Sequence, residues 1–137
     1  MRKLTLSGKR LLDFGCGKGQ FLHWALDYGW QGQGIETGKK RAEFGQNVYG
    51  LKINTLEYHG GLIDGGLFDA ITLFHVLEHL RNLKAVMEEL VKSNLKDGGL
   101  LVIEVPNFGS LQSKIAGKYW LHLVLRFTFP TFRRAVL

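Results

Sequence analysis

The feature that most constrains this chain is a run of alternating glycines between a strand-like and a helix-like segment. An apolar run at residues 11–14 contains Asp13 and is followed by Gly15, Gly17 and Gly19, after which residues 21–26 have helical apolar spacing. Glycine allows a sharp turn and a close approach of backbone to ligand, and a helix start presents unpaired N–H groups. The segment predicts a strand–loop–helix unit that cradles a ligand, although such turns also occur without a binding role.

The spacing of these glycines differs from that of a dinucleotide-binding loop. The dinucleotide fingerprint is G-x-G-x-x-G, whereas this loop is Asp13-x-Gly15-x-Gly17-x-Gly19. The pattern resembles motif I of the class I S-adenosylmethionine-dependent methyltransferases.

Length and composition indicate a single globular domain. The 137 residues are 45% hydrophobic and 22% charged, which is ordinary for a soluble protein. No apolar run approaches the roughly 20 residues that span a bilayer, and the basic N-terminus lacks the apolar core of a signal peptide. Cys16 is the only cysteine, so an intrachain disulfide is excluded and we expect a cytoplasmic protein.

The net charge of +6 is concentrated at the two ends of the chain. Residues 1–10 carry four Lys or Arg and no acid, residues 105–137 carry five and no acid, and the middle has a slight acidic excess. A nucleic-acid-binding domain more often has a basic stripe on its folded body. We therefore expect no specific nucleic-acid partner, and interpret the basic ends as solvated or in contact with an acidic substrate or membrane surface.

Strand-like and helix-like segments alternate along the chain. Strands are predicted at residues 10–14, 31–36, 51–54, 68–74 and 100–105, and helices at 20–28, 39–48 and from the N-cap Asn82 to about 94, with a turn at 96–99. Such alternation is typical of α/β proteins. The prediction is a Rossmann-like, doubly wound and mainly parallel sheet of about five strands, with helices on both faces and a ligand cleft at the carboxyl ends of the strands.

Six motifs that occur in order strengthen the family resemblance. They are Asp13-x-Gly15-x-Gly17-x-Gly19, the strand-end Glu36, Phe68-Asp69-Ala70-Ile71-Thr72, His75-Val76-Leu77-Glu78-His79-Leu80, Leu95-Lys96-Asp97-Gly98-Gly99 and Val105-Pro106-Asn107. Over residues 10–122 the chain resembles the small-molecule branch of the class I methyltransferases, which includes ubiquinone-type and sugar-pathway enzymes. The resemblance implies S-adenosylmethionine as cofactor and in-line transfer of its methyl group to a small-molecule acceptor.

The resemblance also implies which residues meet the cofactor. Asp13, Gly15, Cys16, Gly17 and Gly19 would form the loop around its amino-acid tail. Glu36, nineteen residues after Gly17, would accept hydrogen bonds from both ribose hydroxyls, as an acidic residue does in dinucleotide-binding folds. The alternative for Glu36 is an exposed strand-end charge.

The adenine partner is left open by the sequence. The family places an acidic or amide residue after the third strand, and both Asn54 and Glu57 fit that description.

The segment His75-Val76-Leu77-Glu78-His79 has three interpretations. H-x-x-E-H is the inverted zinc-peptidase signature, but that site requires both histidines on one helix, and here the helix is predicted to begin only near Asn82. In the methyltransferase interpretation, Phe74 and His75 line the cofactor pocket, whereas Glu78 and His79 face the acceptor. His79 would be the general base, because an imidazole titrates near neutrality. Alternatively, Glu78 and His79 only tie the loop down.

The C-terminal segment departs from the family pattern. We divide the chain into a basic lead (1–9), a family-like core (10–122) and a divergent tail (123–137), which lacks the usual last two strands. The tail is expected to be poorly ordered or exposed, with an apolar edge favouring self-association or membrane contact, although it could form one strand. A non-catalytic, cofactor-binding remnant of a methyltransferase is therefore the alternative function.

Overall fold

The computed structural model describes residues 8–105 and the strand at 123–128. The strands are β1 (Arg10–Phe14), β2 (Gln31–Ile35), β3 (Ile53–Asn54), β4 (Phe68–Phe74), β5 (Leu95–Val105) and β6 (Leu123–Thr128). The helices are α1 (Gln20–Asp27), α2 (Lys39–Tyr49) and α3 (Leu83–Asn94), and a single 3₁₀ turn spans Leu77–His79. No helix within these ranges is long and apolar enough to cross a bilayer.

The sheet has the order β3-β2-β1-β4-β5-β6, in which β1 to β5 are parallel. In particular, β1 pairs in parallel with β4, with Leu11 opposite Ala70. The prediction of a doubly wound, mainly parallel α/β sheet is therefore confirmed. The strand order reverses between β1 and β4, and the loops that leave such a reversal point separate to form a crevice at the carboxyl ends of the strands.

Helices cover both faces of the sheet. Along β1 the side chains alternate, so that Leu11 packs in one apolar cluster with α1 and α2. Leu12 faces the opposite side, where it packs in a second cluster with Leu90 of α3. A parallel strand with a core on each side is apolar at successive positions, which explains the unbroken apolar runs in the sequence.

Strand β5 begins earlier than predicted. The turn predicted at residues 96–99 lies inside β5, which pairs with β4 through Leu95 opposite Phe68 and resumes with Leu100 opposite Ala70. The intervening residues of β5 outnumber those of β4, so they form an irregularity in the ladder. Gly98 adopts a φ of +73° there, a conformation that glycine accommodates without strain.

The edge of β5 is covered by part of the tail. Strand β6 pairs antiparallel with β5, from Val105 opposite Leu123 to Leu100 opposite Thr128. The alternative that the tail forms one further strand is therefore confirmed for residues 123–128. Residues 129–137 and the side chains of β6 lie outside the described part, so tail-mediated self-association or membrane contact stays a prediction.

A buried polar pair joins the two central strands. Asp13 of β1 is only 2% exposed, and Thr72 of β4 is also buried. The Thr72 hydroxyl donates a hydrogen bond to Asp13 Oδ1 at 2.7 Å. Burial raises the pKa of the Asp13 carboxyl to about 6, and the hydrogen bond from Thr72 offsets only part of that rise.

Because of this pair, the free energy of unfolding should depend on pH. Because the folded chain holds the Asp13 proton more tightly than the unfolded chain, the stabilisation is complete below about pH 3.8 and is lost as the pH rises through about 6. Asn at position 13 has no such proton, although its Oδ1 still accepts from Thr72. Denaturant unfolding should show Asp13→Asn gaining about 1 kcal/mol over the wild type between about pH 5 and about pH 8. A difference that stays constant over this interval would contradict the account.

Candidate functional site

A cavity of about 810 Å³ lies at the carboxyl ends of β1, β2 and β4. Its wall is formed by segments that follow four strands: Gly15 and Gly17; Glu36 and Thr37, with Arg41 of α2; residues 56–59; and His75, Val76 and residues 79–82. This is the crevice expected at the reversal of strand order. The volume lies in the range typical of sites for small molecules and cofactors.

The three glycines of the loop after β1 have different structural roles. All three have positive φ angles, of +75° at Gly15, +57° at Gly17 and +77° at Gly19. A Cβ at Gly15 would lie 2.3 Å from Val76 Cγ2, and one at Gly19 would lie 2.4 Å from Leu51 Cδ1. A Cβ at Gly17 would meet no atom within 4 Å. Gly15 and Gly19 therefore permit close packing, whereas Gly17 leaves the wall of the cavity open.

The carboxylate of Glu36 joins the glycine loop to the start of α2. Glu36 directly follows β2 and is only 5% exposed, so the alternative of an exposed strand-end charge is wrong. The Gly17 N–H donates to Oε2 at 2.9 Å, and the Gly38 N–H donates to Oε1 at 2.6 Å. Arg41 Nη2 also donates to Oε1, at 2.7 Å. Burial raises the pKa of Glu36, but these hydrogen bonds and the Arg41 charge together hold it below its usual range.

Two predicted contact residues lie behind the cavity wall. Asp13 is buried against Thr72 and Cys16 packs against Gly34, where a Cβ would lie 2.4 Å from Sγ. Burial, followed by the nearby Asp13 and Glu36 charges, raises the pKa of the Cys16 thiol to about 12. A thiol of this kind is protonated and unreactive at neutral pH.

Two further predicted residues also support the wall rather than line it. Gly19 packs against Leu51, and the ring of Phe74 meets Phe21 edge-on at a centroid distance of 4.8 Å. The cavity is instead lined by the other four predicted cofactor residues, Gly15, Gly17, Glu36 and His75.

His75 has an unusual backbone and two acidic neighbours. Its φ of +56° is in the left-handed region, which costs a non-glycine residue about 1–2 kcal/mol. Nε2 lies 2.9 Å from Glu104 Oε1, and Nδ1 lies 3.8 Å from Glu78 Oε1. His75 is therefore held at the end of β4 by side-chain contacts as well as by its backbone bond to Glu104 O.

The geometry of this segment does not fit the inverted zinc-peptidase site. His79 belongs to the single 3₁₀ turn, His75 precedes it, and α3 begins only at Leu83. The two histidines therefore do not share a helix. Within residues 8–105 and 123–128, no group of three His, Cys, Asp or Glu side chains is arranged to hold a metal ion.

The predicted catalytic pair is separated. His79 is exposed and lines the cavity, whereas Glu78 does not line it and lies nearer to His75. Of the two candidate adenine partners, Glu57 lines the cavity. Asn54 does not line it, and its backbone oxygen accepts from the Glu36 N–H at 3.2 Å.

Two cavity-lining residues, Arg41 and Tyr58, were not among the predicted site residues. Arg41 lies in the first turn of α2, and its distance of five residues from Glu36 is the only signal that could have indicated the pair. Tyr58 meets Phe14 edge-on at 5.7 Å, and its hydroxyl donates to Gly61 O and accepts from the buried Asn94. No periodicity predicts these contacts, because Tyr58 lies in an irregular loop.

Comparison with known proteins identifies the family of this chain. The sequence matches the family described as "Methyltransferase domain" over residues 2–136. A ubiquinone biosynthesis O-methyltransferase from Dechloromonas aromatica (strain RCB) is 31% identical over 112 residues, which are 76% of this chain and 47% of that protein.

Solved methyltransferase structures share the fold. The plantazolicin methyltransferase BpumL in complex with SAH superimposes with a TM-score of 0.67 and 21% identity, over 78% of this chain and 42% of that one. The O-methyltransferase of a Brevibacillus brevis trans-AT PKS multienzyme, in complex with S-adenosyl-L-homocysteine, superimposes with a TM-score of 0.61 and 24% identity. The match covers 72% of this chain and 35% of that one.

The chain spans about half the length of the curated relative, and less than half of these two structures. The match to the family nevertheless extends over almost the whole sequence, and the glycine loop and strand-end acid lie together on one cavity wall. The chain belongs to the class I S-adenosylmethionine-dependent methyltransferases.

Proposed function

We propose that this chain binds S-adenosylmethionine and transfers its methyl group to a small-molecule acceptor. The observation that carries the proposal is the open position beside Gly17, directly next to the buried carboxylate of Glu36. The ubiquinone-pathway relative and the SAH-bound structural neighbours support the same cofactor and acceptor class.

The residues of the cavity fit the chemistry of this cofactor. Its ribose has two hydroxyl donors, and Glu36 is held ionised as an acceptor at the wall. The amino-acid tail of the cofactor requires a close approach of the protein backbone, which Gly15 and Gly17 permit because they have no side chains. For the adenine, Glu57 is the better of the two candidates because it lines the cavity and Asn54 does not.

The bound cofactor would supply a methyl group already activated by its sulfonium. Residues of the chain must therefore mainly orient the acceptor and exclude water, since in-line displacement depends on alignment. His75 and Val76 line the cavity beside the glycine loop and would border the reacting end of the cofactor.

His79 is the proposed general base. It lies on the part of the cavity wall formed by residues 79–82, and it is exposed. An acceptor hydroxyl or amine that keeps its proton needs a group to remove it, and an imidazole suits this role near neutral pH. Glu78 would act indirectly, through the loop that it shares with His75.

The first experiment compares two glycine substitutions with the same backbone cost. Gly17 and Gly50 have φ angles of +57° and +66°, and a Cβ at either meets no atom within 4 Å, but only Gly17 lines the cavity. Gly17→Val and Gly50→Val should each lose about 1–2 kcal/mol of stability. Calorimetry should show S-adenosylhomocysteine affinity falling about 100-fold or more in Gly17→Val alone. Equal affinity in the two variants would count against the site.

A second experiment tests turnover. His79→Gln should reduce transfer of labelled methyl from S-adenosylmethionine to a small-molecule extract by about 100-fold, with S-adenosylhomocysteine affinity nearly unchanged. His23→Gln is the matched control, since His23 lies on α1 outside the cavity, stacked on Tyr49. Cofactor binding without any transfer by the wild type would instead support the cofactor-binding remnant.

A further inference from the structure

The ion pair between Glu36 and Arg41 is built into the turn that follows β2. Oε1 of Glu36 receives two donors from this turn, the Gly38 N–H at 2.6 Å and Arg41 Nη2 at 2.7 Å. The Arg41 side chain is 57% exposed and lines the cavity, whereas that of Glu36 is only 6% exposed. The guanidinium therefore lies between solvent and a buried carboxylate.

Gly38 provides the room for this contact. A Cβ at Gly38 would lie 2.6 Å from Arg41 Nη2 and 2.9 Å from Glu36 Oε1, so a side chain there would force the pair apart. The Arg41 N–H also donates to Gly38 O at 2.9 Å, which fixes the start of α2 beneath the guanidinium. The pair thus depends on a local backbone arrangement, in which the same carboxylate oxygen accepts from a backbone N–H and from the guanidinium.

We propose that Arg41 is a positioning residue for cofactor binding, which holds the Glu36 carboxylate turned towards the cavity so that Oε2 accepts one further hydrogen bond, from a ribose hydroxyl. This inference rests on the proposed cofactor. Arg41 acts through Glu36: its guanidinium and the Gly38 N–H hold Oε1, while the Gly17 N–H holds Oε2. With both oxygens fixed, the carboxylate has one orientation before any ligand arrives.

The protonation state of Glu36 depends on Arg41. Burial is the largest influence and favours the protonated carboxyl, which is a weaker hydrogen-bond acceptor than the carboxylate. The hydrogen bond from Arg41 is the strongest opposing influence, and its charge adds to it. Removing Arg41 leaves only the N–H groups of Gly38 and Gly17 to oppose burial, so the pKa of Glu36 should rise.

Other titrating groups surround the same cavity. They are Asp13 and Cys16 behind the glycine loop, Glu57, Tyr58 and His59 after β3, and His75, His79 and Arg81 after β4. All of them are present in the wild type and in an Arg41 variant. Removing the Arg41 charge acts on these groups as well, so the NMR titration of Glu36 itself is needed to separate its protonation from theirs.

The experiment uses Arg41→Met, Arg41→Lys and the control Lys39→Met, which removes an exposed cation of α2 that pairs with Glu43. Two properties are measured: the NMR titration of the Glu36 side-chain carboxyl without ligand, and S-adenosylhomocysteine affinity by calorimetry from about pH 7.5 to about pH 4.5. In Arg41→Met the Glu36 midpoint should rise by about one pH unit or more, and affinity at the acidic end should fall about twofold to fivefold further than in the wild type. Arg41→Lys should restore part of both properties, and Lys39→Met should match the wild type.

Wild-type binding together with an unchanged midpoint and pH profile in Arg41→Met would overturn this inference alone. So would an equal change in Lys39→Met. Failure of the wild type to bind S-adenosylhomocysteine at any of these pH values would overturn the proposed function, and the inference with it.

Discussion

One buried carboxylate determines the arrangement of the cavity wall. Glu36 is almost fully removed from solvent, and an unpaired charge in such a position costs several kcal/mol, of the order expected for a desolvated ion. Three donors compensate, and they come from the glycine loop, the turn after β2 and helix α2. These hydrogen bonds require the left-handed conformation of Gly17 and the absence of a side chain at Gly38.

The parallel sheet brings the remaining parts of the site together. Because β1 and β4 are neighbours at the reversal of strand order, the glycine loop and the segment containing His75 and His79 open onto the same cavity. Val76 packs so closely over Gly15 that any side chain there would separate the two loops. Contacts between residues about sixty positions apart in sequence are thus fixed by strand register.

Periodicity and turn residues predicted the parallel strands and the helices well, because each element has its own apolar pattern. Strand β1, for example, has the predicted bounds. The resemblance also indicated several residues of the cavity wall, including Gly17, Glu36 and His79. The resemblance did not indicate which way each side chain points: Asp13 and Cys16 belong to the motif, but their side chains point into the core. Arg41 was not predicted, because only the folded turn after β2 brings its side chain next to Glu36.

The most direct test is calorimetric titration of the unmodified chain with S-adenosylhomocysteine and, separately, with NAD. Both ligands contain an adenine ribose, so a carboxylate after β2 alone does not distinguish them. The loop geometry predicts saturable binding of one S-adenosylhomocysteine per chain and weaker or no binding of NAD. Equal or tighter binding of NAD would contradict the assignment of this cavity to a methyltransferase cofactor.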